Sequence, residues 1–212
     1  MGFLGPAPTH QDVYNRRASR SLASQDVNRR LVLSYVYDLP IGRGKAFASN
    51  MPKAVDLVVG HWQVNGIVTF STGVPLAIAT QQNNSQSFSA AQWANVNGND
   101  PNLPAGRTID ERLARWFDTS VFSQPAAFTF GNGPRVLPTV RRDGIRSWDF
   151  SLFKNVPIRE AVRVEFRAEF FNFTNTPNWG APGQALGNPQ FGVVNAMGNA
   201  PRQVQFGLKV YF

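Results

Sequence analysis

Cysteine is absent from this 212-residue chain, which excludes a disulfide framework, a thiol nucleophile and a cysteine-bound metal site. Charged residues make up only 16% of the chain, below the usual quarter. Mean hydropathy is -0.24, and no apolar run approaches the roughly 18 residues of a transmembrane helix. A membrane protein built from strands is still compatible with these absences, because half of each barrel strand faces a polar lumen.

Turn formers and aromatic residues are abundant, with 18 Gly, 15 Pro and 17 Phe. This composition favours an all-β chain with many short strands and turns. The formal net charge is +8, a balance that nucleic-acid-binding proteins often show. The arginines are scattered, however, and form no basic stripe interleaved with stacking aromatics. We therefore predict no nucleic-acid partner and attribute the charge to attraction toward an anionic membrane surface.

The last eleven residues, 202–212, show the clearest pattern in the chain. Apolar and polar residues alternate strictly there, with Val204, Phe206, Leu208, Val210 and Phe212 set against Gln203, Gln205, Gly207, Lys209 and Tyr211. This alternation predicts a strand with one apolar and one wet face, of about the 9–11 residues that a tilted strand needs to cross a bilayer. In water so apolar an edge would aggregate, whereas a closed barrel in lipid pairs every backbone group. We predict the closing strand of an outer-membrane barrel, with the five apolar residues facing lipid.

Four further strands are predicted at 29–37, within 54–70, at 145–154 and at 162–173. In the last of these, a helix would place Arg163 next to Arg167 and Glu165 next to Glu169 as repulsive like-charge pairs, so a strand is favoured. The polar positions of the strands are predicted to face the barrel lumen: His61, Gln63, Asn65, Asp149, Ser151, Arg163, Glu165, Arg167, Glu169, Gln203, Gln205 and Lys209.

The predicted connections alternate in length. Residues 38–53 and 155–161 are short, 81–144 and 174–201 are long and polar, and 71–80 are expected to extend the second strand beyond the membrane. Bacterial barrels have short periplasmic turns and long extracellular loops, so both long connections are predicted outside the cell. Residues 1–28 form a separate polar, loop-like segment, and 29–212 form the barrel portion.

One short helix is predicted inside the long 81–144 connection. Thr108 and Glu111 have the spacing of a capping box, and Leu113, Trp116 and Phe117 form an apolar patch behind them. We interpret it as a small packed helix on the barrel rim rather than a ligand site.

No catalytic site is predicted. The stretch GRGK at 42–45 lacks the first glycine and the Ser or Thr of a phosphate-binding loop, which indicates a turn. His61 has no second histidine or carboxylate at ligand spacing around it, so a polar lumen side chain is favoured over a metal ligand. We therefore predict neither an enzyme nor a cofactor or metal site.

Taken together, these residues resemble the C-terminal barrel region of TonB-dependent outer-membrane receptors, particularly the Oar-like group. The matching stretches are LSYVYDLPIGRGK at 33–45, GIVTFSTGVP at 66–75, FTFGN at 128–132, WDFSLFK at 148–154 and residues 163–176. The terminal strand with Phe212 also resembles the signal that outer-membrane insertion machinery reads.

The resemblance covers residues 29–212 and implies a plugged barrel of about 22 strands in the bacterial outer membrane, which takes up a substrate. It also implies outer-membrane lipid, an N-terminal barrel and plug, and an inner-membrane energy-coupling complex as partners. The signal peptide, coupling box, plug and carboxypeptidase-regulatory-like domain of such receptors are not visible. Because five strands cannot close a barrel, the chain is expected to be the C-terminal portion of a longer protein. Two alternatives remain open: a surface adhesion barrel without transport, and a soluble β-sandwich binding module.

Overall fold

The computed structural model of the chain describes residues 10–87, 92–159 and 162–212. Short 3-10 helices lie at Arg16–Ser19 and Thr119–Val121, and the α-helices are α1 (Lys53–Val59) and α2 (Ile109–Ala114). In chain order the strands are β1 (Arg30–Asp38), β2 (Trp62–Ser71), β3 (Ala79–Thr80), β4 (Asn95–Val96), β5 (Phe122–Ser123), β6 (Ile145–Arg159), β7 (Val162–Phe171), β8 (Ala185–Leu186) and β9 (Gln203–Tyr211).

Packing divides the chain into two compact units, each built from three stretches. The sheet unit consists of Arg30–Ser71, Ile145–Pro177 and Ala200–Phe212. The loop unit consists of Met1–Arg29, Thr72–Gly144 and Asn178–Asn199. The predicted polar segment 1–28 is described only from residue 10 onward, and 88–91 of the predicted long loop lie outside the described residues.

The sheet unit contains one antiparallel sheet in the order β1-β2-β6-β7-β9, so each strand pairs with the next long strand along the chain. Such a meander is the topology that alternating connections predict. Because neighbouring strands run in opposite directions, β1, β6 and β9 begin, and β2 and β7 end, at the same end of the sheet. The all-β, antiparallel prediction is confirmed, and each of the five predicted strands is present.

One part of the predicted second strand is wrong, because α1 occupies the stretch before β2. Its valines read as strand formers in the sequence, and Val58 continues the period-two pattern of β2 backward. Pro52 at the N-cap and Gly60 at the C-cap instead bound one short helix, and the Gly60 N–H donates to the Asp56 carbonyl at 2.8 Å. The Asp56 carboxylate also accepts a hydrogen bond from the Arg43 backbone N–H at 2.8 Å, which holds the helix against the preceding turn.

The predicted turn at 155–161 is also wrong in extent, because β6 continues through Arg159. Pro157 lies within the predicted turn. In the structure it lies beyond Lys154, the last residue of β6 that pairs with β2, so its missing N–H removes no hydrogen bond on that side. The register shifts between Pro157 and Arg159 mark a bulge there. Residues 160 and 161, the end of the predicted turn, lie outside the described residues.

The other strand ends differ less. β7 ends at Phe171 rather than 173, and β2 ends at Ser71 rather than continuing through residue 80. Residues beyond Ser71 enter the loop unit, where β3 pairs in parallel with β8. No helix among the described residues is long and apolar enough to cross a membrane.

The loop unit has a hydrophobic core of its own, which the sequence did not predict. Eight buried residues form it: Leu76, Ile78, Ala94, Phe117, Val121, Phe122, Leu137 and Val140. Phe117, Phe122 and Phe191 pack edge to face, with ring centroids 5.3–5.9 Å apart. The long predicted loops are therefore packed structures and not solvated excursions.

The helix predicted within 81–144 is confirmed as α2. The Thr108 hydroxyl accepts a hydrogen bond from the Glu111 N–H at 3.3 Å, and the Glu111 carboxylate accepts one from the Thr108 N–H at 2.8 Å. This reciprocal pair is a capping box. The backbone N–H of Thr108 and then its hydroxyl lower the pKa of Glu111 below its ordinary value. Phe117 of the predicted patch lies in the loop-unit core and Trp116 packs against it.

Candidate functional site

Strand register places the predicted lumen residues together on one side of the sheet. Side chains alternate along a strand, and residues opposite each other in register share a face. Following the register from β2 to β9, the shared face contains Gln63, Asn65, Asp149, Ser151, Arg163, Glu165, Arg167, Glu169, Gln203, Gln205 and Lys209. We call this the polar face. It also contains Val32, Val36 and Ile67, so the β1–β2 end of this face is less polar than the β7–β9 end.

The charges of the polar face are balanced by neighbours on the same face. Arg167 donates to the carboxylate of Glu165, a residue only 7% exposed. The Arg167 guanidinium lies 4.5 Å from the centre of the Phe153 ring, and that of Arg163 lies 4.2 Å from the centre of the Tyr211 ring. These ion-pair and cation–π contacts hold the charged side chains of the polar face in fixed positions. Such a surface can contact water or another polar protein surface without burying an unpaired charge.

Amide side chains extend this polar surface to both edges. Gln205 Nε2 lies 3.4 Å from Glu169 Oε2, and Gln63 Nε2 donates to Asp38 Oδ1 at 2.8 Å. The Asn65 Nδ2 and Asn155 Oδ1 atoms are buried without a hydrogen-bond partner among the described residues. Buried polar atoms of this kind normally find a partner, so the polar face retains unused hydrogen-bonding capacity near its middle.

His61 does not join the polar face. It precedes β2 with a left-handed φ of 58°, so the alternation that assigned it to the lumen does not apply. Its Nε2 lies 3.2 Å from Asp56 Oδ2, which corrects the view that no carboxylate stands near it. Sequence reasoning missed this pair because the second strand is predicted within 54–70, and positions 56 and 61 lie far apart in a strand.

The opposite side of the sheet is the apolar face, which carries the predicted lipid-facing residues of β9. Val204, Phe206, Leu208 and Val210 pair in register with Phe170, Ala168, Phe166 and Val164 of β7. All four β9 side chains are exposed. Phe212 lies beyond the end of β9 and is almost fully exposed. A row of large exposed apolar side chains on one face is what a lipid-contacting strand requires.

Close packing at the middle of the apolar face involves a glycine. Tyr35 lies over Gly66, its partner in register, where any side chain at position 66 would collide with the Tyr35 ring and hydroxyl. The Tyr35 hydroxyl accepts a hydrogen bond from Trp148 Nε1 at 3.1 Å. Two polar groups among the apolar side chains at the middle of this face thus satisfy each other.

An open cleft of about 390 Å³ in the loop unit is the candidate ligand site. Its volume falls in the range of small-molecule sites. It is lined by Gln81, Gln82, Phe122, Ser123, Gln124, Leu186 and Gly187. Gln124 Nε2 donates to the Gln82 carbonyl at 3.3 Å, and the Gln81 N–H donates to the Leu186 carbonyl at 3.1 Å. The lining combines amide and hydroxyl groups with apolar side chains and carries no charge, which suits a neutral, hydrogen-bonding ligand.

The sequence contained no signal for this cleft, because its walls come from three distant stretches. A second feature that sequence reasoning missed is the cluster around Arg141 in the same unit. The Arg141 guanidinium donates to the Asp26 carboxylate at 2.5 Å, to Asn28 Oδ1 at 2.7 Å and to the Gly73 carbonyl at 3.1 Å. These bonds tie the segment before β1 to the segment after β2.

Across the described residues, no three His, Asp or Glu side chains are grouped closely enough to hold a metal ion. The acidic groups of the loop unit instead serve local structure. The Ser120 hydroxyl, then its backbone N–H, and Arg115 lower the pKa of Asp118 below its ordinary value. By accepting the Ser120 N–H, the Asp118 side chain caps the 3-10 turn at Thr119–Val121.

Comparison with known proteins supplies the family. A family model described as an outer membrane beta barrel domain matches residues 2–205. No curated protein and no solved structure matches the chain. The match covers nearly the whole chain, and it decides between the barrel and the soluble sandwich in favour of the barrel. The chain belongs to the outer membrane beta barrel domain family and is a protein of the bacterial outer membrane.

Proposed function

We propose that the chain forms the C-terminal barrel section of a TonB-dependent receptor that takes up a substrate across the outer membrane. The observation that carries the proposal is the two-faced sheet. One face is a row of exposed apolar residues suited to lipid, and the other carries charges of alternating sign, with an ion pair between Arg167 and Glu165, which suit a polar interior. A large plugged barrel needs both surfaces.

The polar face supports the presence of a plug inside the barrel. The balanced charges of Arg163, Glu165, Arg167 and Glu169 alternate in sign along β7. A water-filled pore needs only polar side chains. A folded plug that must be held and then released needs a surface that makes many weak, reversible contacts. Short-range ion pairs and unused amide groups provide such a surface. By resemblance, the energy source is an inner-membrane coupling complex.

The loop-unit cleft supports capture of a ligand from outside. It lies among residues of the long connections, which are predicted to be extracellular, and its lining side chains in the described chain carry no charge. Its amides can bind and release a neutral ligand by exchanging hydrogen bonds with water, so the proposal requires no catalysis. The protein acts as a receptor and not as an enzyme.

The proposal is tested by accumulation in living cells. Cells with and without the gene are given a mixture of environmental solutes, and internal concentrations are compared by mass spectrometry. At least one solute is expected to accumulate only when the gene is present, and a protonophore should abolish that accumulation. A solute that enters equally with the protonophore present would point to a passive pore and contradict the receptor assignment.

One observation favours the alternative, a surface barrel that binds a matrix or neighbouring cells. The loop unit has its own aromatic core, which a passive extracellular loop does not require. Under this alternative, loss of the gene weakens cell attachment and leaves solute accumulation unchanged. The protonophore has no effect on attachment. The same set of strains therefore separates the two functions.

A further inference from the structure

Helix α1 has the reverse of the pattern expected for a helix on a water-soluble surface. Its single carboxylate, on Asp56, points inward and is buried, where it accepts the Arg43 N–H. Its apolar residues point outward, and Val58 is 68% exposed. Val55, Leu57 and Val59 are exposed as well. The helix presents an apolar surface with no covering group among the described residues of the sheet unit.

Contacts place this helix at the end of the apolar face. Trp62 and Lys154 are register partners on that face. Trp62 Nε1 donates to the Val58 carbonyl at 2.9 Å, and Lys154 donates to the Gly60 carbonyl at the helix end. The Lys154 ammonium lies 5.3 Å from the centre of the Trp62 ring. The exposed side of α1 therefore continues the apolar face beyond the strand end.

Tryptophan and lysine at the end of an apolar band are typical of the membrane interface. Tryptophan concentrates at headgroup depth, and a lysine near that depth directs its ammonium toward polar groups. On β6 the apolar residues Trp148, Phe150 and Leu152 lie between Arg146 and Lys154. The eight residue-to-residue steps from Arg146 to Lys154 span about 26 Å of strand. At the tilt of about 35–45° typical of barrel strands, this length covers about 20 Å of height, which is most of the roughly 25 Å apolar band.

The charges around α1 indicate what covers it. The connection 39–61 contains three cations, Arg43, Lys45 and Lys53, all exposed. Its only carboxylate is the buried Asp56. Phe47, in the same connection, is exposed too. Exposed cations beside exposed apolar residues complement a layer of anionic headgroups above acyl chains.

We propose that α1 is an interfacial anchor that lies in the headgroup layer of the periplasmic phospholipid leaflet, with Val58 directed toward the acyl chains and Lys45 and Lys53 toward lipid phosphates. This goes beyond the uptake function and is independent of it, since it requires only that the apolar face meets lipid. The anchor fixes the depth at which the sheet sits, because it blocks movement of this strand end into the hydrocarbon core.

Depth measurements with a nitroxide label test the proposal. Val58→Cys and Ile109→Cys each introduce the sole thiol of a chain that lacks cysteine. Both residues are exposed on short helices, but Ile109 belongs to α2 of the loop unit. The full-length protein, with any cysteine outside these 212 residues replaced by serine, is assembled into vesicles of phosphatidylcholine with or without phosphatidylglycerol, and is also measured in native outer membranes. A change in gel mobility on heating confirms that each variant has assembled. If Val58→Cys does not assemble, Leu57→Cys replaces it.

The label at position 58 is expected to collide several-fold less with a water-soluble nickel chelate than the label at 109, and more with oxygen, which concentrates in lipid. Phosphatidylglycerol should increase this shielding, and the double variant Lys45→Gln and Lys53→Gln should remove that increase. If the labels at positions 58 and 109 collide with the nickel chelate at equal rates in vesicles, the proposal is overturned. Shielding in native membranes but in neither type of vesicle would overturn it as well, because a protein partner would then cover α1.

Discussion

Leu208 and Gln205 test at single-residue resolution which face of β9 meets lipid. Leu208→Arg is expected to destabilise the assembled protein by about 2–4 kcal/mol, because the cation enters the hydrocarbon region. Gln205→Arg is the control, since Gln205 lies 3.4 Å from a Glu169 oxygen and an arginine there faces a carboxylate. The measurement is the urea midpoint of the protein assembled in vesicles. Equal shifts for the two variants would contradict the face assignment.

Gly66 is expected to be intolerant of any side chain. Gly66→Ala should cost about 1–3 kcal/mol, because the new methyl group displaces the Tyr35 ring and breaks the hydrogen bond from Trp148. Gly207→Ala is a matched control in the same sheet, where the added carbon would lie 3.9 Å from the nearest atom, an ordinary contact. Urea midpoints of both variants measure the difference. A Gly207→Ala effect as large as that of Gly66→Ala would show that loss of flexibility, not collision, is responsible.

The Asp56 carboxylate gives the connection 39–61 a pH dependence with a defined sign. The Arg43 N–H, and then His61, lower the pKa of Asp56 below its ordinary value. A lowered pKa in the folded state means that the carboxylate stabilises the connection above the ordinary Asp pKa. That contribution is lost as the pH falls through the lowered value.

Hydrogen exchange of peptides covering 39–61, corrected for the intrinsic pH dependence, should therefore show constant protection from neutral to mildly acidic pH and a loss in stronger acid. Asp56→Asn has no carboxyl group to titrate, so its protection should be lower at neutral pH and show no such transition. An identical acid transition in this variant would assign the titration to another group.

At the scale of elements, Phe117 tests whether the long connections are folded. Phe117 is 0% exposed, and Phe117→Ala is expected to cost about 3–5 kcal/mol through the cavity it leaves in the loop unit. Protease added to intact cells should then cut within 72–144 faster than in the unmodified protein. Phe128→Ala, at a side chain 80% exposed, should leave the cleavage rate unchanged. Similar acceleration by both variants would show that these connections lack a cooperative core.

The strands could be predicted from sequence because apolar and polar side chains alternate along each of them over nine or more residues. Such alternation arises when the two faces of a sheet meet different environments. β9 is the clearest case, since every second residue from Val204 to Val210 is apolar. α1 could not be predicted on the same basis, because Val58 and Gly60 continue the β2 alternation in the backward direction. Only Pro52 and Gly60, which bound the helix, marked the change from strand to helix.

The loop-unit core and its cleft were outside the reach of sequence periodicity. Leu76, Phe117 and Val140 are far apart in the chain and belong to no repeating pattern, yet they pack into one cluster. The cleft depends on the same long-range contacts, since Gln82, Gln124 and Leu186 come from separate segments. Capping at Thr108 was predictable because the whole motif lies within four residues.

At the scale of the whole molecule, the sheet order leaves the outer edges of β1 and β9 without a neighbouring strand among the described residues. In lipid, each unpaired backbone group costs several kcal/mol. In water, the exposed apolar face would drive association. These 212 residues expressed alone are therefore expected to associate instead of remaining monomeric. Size-exclusion chromatography without detergent measures this, and a sharp monomeric peak with cooperative thermal unfolding would contradict it.

The two units are interleaved along the chain, which determines when they can fold. The loop unit needs the stretch Asn178–Asn199 and the sheet unit needs Ala200–Phe212, so neither is complete until its final segment has emerged. Chains dominated by such distant contacts fold slowly and expose unpaired strands while they wait. Neither unit can therefore finish folding before its last segment has been synthesised. Until then, unpaired strand edges and apolar side chains stay exposed, so aggregation competes with the folding of both units.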